Sequence, residues 1–228
     1  MRYIYCHPLF DERKCAHRFS YQLTKTFEEN NLQLERFDYQ GTGEAQGKFC
    51  DVTMESLRDN LQEIVGQDKV CIIGTRFGAT VAFDLCCRDT VDVDKLVMIE
   101  PVINGRSYAE YLFRKQHLKD MMTGNGSNFS QEDGCINLEG FKTNAVFIEQ
   151  IRRINLFEMQ SQIRVKSVFI MQISASGKVC SEYGLFAGDF RKNSIPACIE
   201  VFNLPAFWER IPDGDYTAAN ERILEWCR

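Results

Sequence analysis

A few side chains in this sequence are placed to do chemistry: the guanidinium of Arg76, the thiol and imidazole of Cys6-His7, the hydroxyls of Ser174 and Ser176, and the carboxylates of Glu12 and Glu100. The sharpest local signal is Gly74-Thr75-Arg76-Phe77-Gly78, which has the G-x-S-x-G spacing of a nucleophile elbow. In that strand-to-helix turn, small residues at both ends let the backbone bend sharply against its neighbours. The residue at the point of this turn is an arginine. Arginine stays protonated and carries five donors and no acceptor, so it clamps an anion and does not attack a carbonyl. A helix beginning at Phe77 adds unpaired backbone N–H groups and a dipole favouring negative charge, worth about 0.3–1 kcal/mol when exposed. Two readings of Arg76 stay open. In one, Arg76, the amide of Phe77 and Arg13 hold a carboxylate, a phosphate or a sulfated sugar. In the other, Arg76 pairs with Glu100 or Glu12 and seals the site.

The remaining candidates are weaker. Cys6-His7 has the composition of a thiolate–imidazole couple. Neighbouring strand residues point to opposite faces, however, so a buried Cys6 and a loop-shaping His7 are expected. Tyr108, Tyr111, Leu112 and Lys115 recur at helical spacing close to His117. They read as packing, with an aromatic cavity roof as the alternative.

Elements that position these groups follow from periodicity. Apolar, strand-like runs cover 2–7, 33–39, 69–74, 95–99, 166–173 and 197–203. Helical patterns cover 15–30, 53–65, 77–88, 181–192 and 216–227. Strands alternating with helices predict an α/β fold with a doubly wound, mostly parallel sheet of six strands and helices on both faces. Residues 105–160 break the alternation with helical patterns at 107–119 and 144–158, separated by a polar run at 123–128. They read as a cap inserted into a single domain spanning 1–228, laid over the carboxyl edge of the sheet and enclosing a ligand cavity.

Composition removes several classes. At 228 residues and 44% hydrophobic content the chain can bury one sizeable core. A net charge of −5 with interspersed signs gives no basic stripe, which argues against nucleic acid. No apolar run approaches the roughly 20 residues of a membrane span, and Met1-Arg2-Tyr3 leads straight into a strand pattern instead of an export signal. The ten cysteines lie mainly in apolar strand and helix patterns and form no C-x-x-C, so reduced buried thiols in a cytoplasmic protein are expected, without a metal site or cofactor.

The segment His7-Pro8-Leu9-Phe10-Asp11-Glu12-Arg13, the run from Phe37-Asp38-Tyr39 through Gly41, Gly43, Ala45 and Gly47, and the elbow together resemble an α/β-hydrolase. The second run is similar to the D-x-x-G-x-G-x-S-x-G loop of the serine aminopeptidase-like branch, with Ala45 in place of the serine. Glu100-Pro101-Val102 with Gly105, the elbow arginine, and Phe207-Trp208 resemble the second of the two hydrolase-like proteins associated with exosortase A systems. The resemblance implies a chain that starts at the superfamily's third strand, lacks its antiparallel first hairpin, and orders its strands 2-1-3-4-5-6. It also implies that His7, Glu12, Arg13, Arg76 and Phe77 surround one cavity, with Glu100, Ser174 and Ser176 beyond neighbouring strands and Phe207-Trp208 facing in. The amides of Leu9 and Phe10 would take the oxyanion-hole place.

Set against that pattern, all three triad positions are vacant. Arg76 replaces the nucleophile, no histidine follows His117, and Ser174-Ala175-Ser176-Gly177 offers no carboxylate where the acid should lie. The best-supported function is a noncatalytic protein binding a small anionic, acyl or carbohydrate ligand, or a partner, at the Arg76 elbow, within polysaccharide or envelope biosynthesis as the narrower resemblance implies. Alternatives are an esterase- or thioesterase-like enzyme with chemistry relocated to His7, Glu12, Ser174 or Ser176, and a docking protein.

Overall fold

The computed structural model describes residues 1–88, 90–123, 134–210 and 214–228. Its main sheet uses β1 (Arg2–Cys6), β2 (Leu34–Arg36), β3 (Val70–Thr75), β4 (Val93–Ile99), β7 (Ser167–Ile173) and β8 (Ala197–Phe202). Among the described residues these six strands lie in the order β2-β1-β3-β4-β7-β8, and every pairing is parallel. Counted within the sheet, that is the expected 2-1-3-4-5-6. The middle strands read as unbroken apolar runs because helices cover both faces: all six residues of β3 are buried.

Period-2 alternation divides the core between those faces. Ile4, Cys6, Val70, Ile72, Leu96 and Met98 pack on one side. Tyr3, Tyr5, Cys71, Ile73, Val97 and Ile99 pack on the other. Each fully buried Ile, Leu, Val or Phe contributes about 1.5–3 kcal/mol relative to exposure. The second face is closed by α2 (His17–Glu29) and the final helix α9 (Thr217–Cys227), where Phe19 stacks on Phe207 with ring centroids 4.1 Å apart. The first is covered by α3 (Met54–Val65), α4 (Phe77–Cys86) and α8 (Ser181–Lys192). Thr53 caps α3: its side chain accepts from the Ser56 amide, and Ser56 Oγ accepts from the Thr53 amide.

Several expected elements change in detail. The helix expected over 15–30 is α2, and a short helix α1 (Phe10–Cys15), where none was expected, precedes it across Ala16. The strand expected over 33–39 pairs only through Leu34–Arg36. Between β4 and β7, α5 (Gly105–Thr123) is followed by an unexpected antiparallel hairpin of β5 (Cys135–Leu138) and β6 (Phe141–Asn144). The second helical pattern then divides into α6 (Ala145–Arg153) and α7 (Leu156–Met159). Residues 124–128 of the predicted polar run lie outside the described residues. Among the described residues, no helix is long and apolar enough to cross a membrane.

Candidate functional site

The elbow retains its backbone. Arg76 sits at φ 52°, ψ −124°, between the end of β3 and the first turn of α4. A non-glycine residue held at positive φ costs of order 1–3 kcal/mol and persists only where its surroundings enforce it. Here they do so through close backbone contact. A Cβ at Gly74 would lie 2.4 Å from the Ala79 Cα, and one at Gly78 would lie 2.4 Å from the carbonyl oxygens of Cys6 and His7. The two glycines of the motif are therefore required by the packing of α4 onto β1 and β3.

Arg76 is enclosed by groups from several elements. Its Nε and Nη2 donate to Glu12 Oε1 at 3.3 and 3.2 Å, and its Nη1 donates to the Glu100 carbonyl at 3.2 Å. The Trp208 ring lies 5.1 Å from the guanidinium carbon and the Tyr108 ring 5.7 Å, both within cation–π range. Glu12 is fully buried, and its other oxygen accepts from Tyr108 Oη at 3.2 Å. Burial raises the carboxyl of Glu12 above the ordinary range, and the charge of Arg76 opposes that shift. Burial likewise works against the Arg76 charge, but Glu12 and the surrounding tyrosines hold it firmly protonated. Glu100, at φ 47°, directs its carboxylate elsewhere: Oε1 accepts from the Ile173 amide at 2.5 Å and Oε2 from Tyr183 Oη at 3.0 Å.

Of the two readings of Arg76, the structure contains the Glu12 pair, with Glu100 contributing its carbonyl oxygen. Rings pack beside Arg76, with Phe77 stacked on Tyr108 at 5.6 Å and edge-on to Phe147 at 6.0 Å. Trp208 lies over the guanidinium of the elbow. Phe207 turns away from Arg76 into the stack with Phe19 of α2, with Tyr216 edge-on at 5.5 Å. His117 is exposed on α5.

The expected single cavity is two environments. Arg13 does not join Arg76; its Nε donates to Asp38 Oδ1 at 3.1 Å, and Nη2 pairs with the same oxygen. His7 stands edge-on to Tyr5 at 4.9 Å and lines the same groove as Arg13 and Asp38. Burial, with added repulsion from Arg13, pulls His7 down to about 3, while burial pushes Cys6 up to about 12. Neither value suits a thiolate–imidazole couple. Leu9 and Phe10 are buried, and the Phe10 ring packs against Phe49 and Phe141. Ser174 and Ser176 share a 2.9 Å hydrogen bond in a half-exposed turn beyond β7. The sequence alone does not pair Tyr108 with Glu12, Tyr183 with Glu100 or Asp38 with Arg13; the one signal it carries is Asp38 heading the glycine-rich loop. Among the described residues, no three His, Cys, Asp or Glu side chains cluster as a metal site would require.

No family model matches this chain, and no curated protein matches it in sequence. Solved structures match its shape over nearly its full length. A hydrolase from Oleispira antarctica matches with TM-score 0.65 at 13% identity, covering 100% of this chain and 91% of that one. Est1E from Butyrivibrio proteoclasticus, solved with ferulic acid bound, matches with TM-score 0.64 at 16% identity, covering 98% and 86%. A lipase-esterase related protein from Clostridium acetobutylicum matches with TM-score 0.63 at 14% identity, covering 98% and 93%. At these identities the likeness establishes the fold, which is that of the α/β-hydrolases.

Proposed function

We propose that this chain is a noncatalytic protein of the α/β-hydrolase fold, in which the position of the attacking serine has become an internal ion pair. The observation that carries this reading is Arg76, which spends three of its five N–H donors on Glu12 and the Glu100 carbonyl beneath Trp208. The anion that the elbow invites is Glu12 itself. An external carboxylate or phosphate would have to displace it, so the protein acts by binding elsewhere on its surface, or by docking a partner. Relocated chemistry has little support in the geometry: His7 and Glu12 serve different surroundings, and Ser174 and Ser176 bond each other without a base. The short Glu100-Pro101-Val102 and Phe207-Trp208 signatures favour a place in polysaccharide or envelope biosynthesis, and the free cysteines favour a cytoplasmic location.

A panel of p-nitrophenyl esters and acyl thioesters tests the reading. Wild type and Arg76→Ser are expected to show neither turnover nor an acyl-enzyme burst above the blank, because restoring the hydroxyl does not supply a base. Wild-type turnover that disappears in His7→Ala would establish relocated catalysis instead. Anion-dependent stabilisation of wild type that disappears in Arg76→Ala would return the ligand to the elbow.

A further inference from the structure

Where β1 and β2 end, an open groove of about 810 Å³ runs beside α2, lined in part by His7, Arg13, His17, Arg36, Asp38 and Glu44. Its charges are unequally satisfied. Arg13 is neutralised by Asp38, whose second oxygen accepts from the Glu44 amide at 3.0 Å. Glu35 turns to Arg2 at 2.7 Å. Arg36 makes no ion pair among the described residues, and its side-chain hydrogen bond there is Nη1 to Ser20 Oγ at 3.4 Å, the long end of the range. A half-buried guanidinium is left with most of its donors unspent.

His7 provides an independent second observation. Its side chain lines the groove, the residue is only 7% exposed, and its Nδ1 is buried without a hydrogen-bond partner, so a ligand in the groove would reach that nitrogen only through a shift of the ring. An unsatisfied buried polar group costs about 1–3 kcal/mol, so each one calls for an explanation. Arg13, Arg36, Asp38 and His17 all lie close enough to act on its charge, and its shift keeps the imidazole neutral, with one donor and one acceptor nitrogen.

We propose that this groove binds an oxyanion, the phosphate or carboxylate of a small molecule, with Arg36 as its bidentate clamp and His7 as a hydrogen-bond partner. Arg13 and His17 flank the site, and the exposed carboxylate of Glu44 opposes the ligand from the lip. The partners of Arg76 are a different set of residues, so the site stands whether or not the elbow is catalytic.

Titration calorimetry and thermal shifts on the full chain, with sodium phosphate and sodium citrate against chloride at matched ionic strength, test this directly. Phosphate, citrate or both should bind wild type saturably; response to one alone identifies that source of the oxyanion. Arg36→Gln should weaken binding at least about tenfold, as expected for losing a charge-assisted pair. Arg36→Lys should fall between the two, because it keeps the charge without the fork. Glu44→Gln should tighten binding. Long-range ¹H–¹⁵N spectra should show the His7 ring nitrogens shifting while those of exposed His117 stay fixed. Equal responses in wild type and a folded Arg36→Gln, no saturable response to either anion, or an unmoved His7 ring would each overturn the proposal.

Discussion

Two arginine–glutamate pairs in this molecule differ in a way that bond lengths misrepresent. Arg222 on α9 meets Glu200 on β8 through Nη2 at 2.6 Å and Nε at 2.9 and 3.0 Å, with both side chains about a third exposed (33% and 32%). Arg76 meets Glu12 at a longer 3.2 Å, with side chains 14% and 0% exposed. The surface pair has the better geometry, yet water already solvates both partners, so it adds little. The elbow pair sits where no solvent replaces a lost partner. Enclosure, not distance, decides which arginine the fold depends on.

Arg76→Ala should break that comparison most sharply, lowering unfolding free energy by about 3–5 kcal/mol in urea titrations because Glu12 is left buried and uncompensated. Replacing both partners, as Arg76→Met with Glu12→Leu, should recover most of that loss. Glu200→Gln should cost less than about 1 kcal/mol in the same assay. Smallest are two pH trends of opposite sign. Arg222 lowers the carboxyl of Glu200 below its ordinary 4.5, so that contribution is present above 4.5 and lost as pH falls through the lowered value. Burial raises that of Glu12 above 4.5, so its contribution is present below 4.5 and lost as pH rises through the raised value. Difference curves of stability against pH for Glu200→Gln and Glu12→Gln relative to wild type should therefore slope in opposite directions.

Much of this architecture is legible in the sequence because burial leaves a pattern. The β3 run Val-Cys-Ile-Ile-Gly-Thr is covered on both faces and reads as continuous hydrophobicity, and α8 falls on its expected bounds. The β5–β6 hairpin is missed because each strand has four residues and no clean alternation, leaving Gly140 at φ 94° as the main turn signal. The short helix α1 is missed because its six residues are too few to show a helical hydrophobic repeat, and it meets α2 across Ala16 at a near-helical φ of −78°. At the site, local spacing reveals the elbow and the arginine at its point. It does not choose between Glu12 and Glu100, nor match Arg13 with Asp38, because those choices depend on how loops distant in sequence cross the sheet edge.

The span of the elbow cluster also bears on time. Arg76 and Glu12 are 64 residues apart, Tyr108 and Glu12 are 96, and Tyr183 and Glu100 are 83. The cluster is complete only once β1, β3, β4, α5 and α8 are together, and the sheet itself already closes loops as long, since Arg2 of β1 pairs with Val70 of β3. Groups that assemble after the rate-limiting barrier affect escape from the native state more than arrival at it. If the elbow pair forms after that barrier, Arg76→Ala should speed unfolding and leave refolding nearly unchanged in stopped-flow measurements, whereas slowed refolding would place the pair in the folding nucleus.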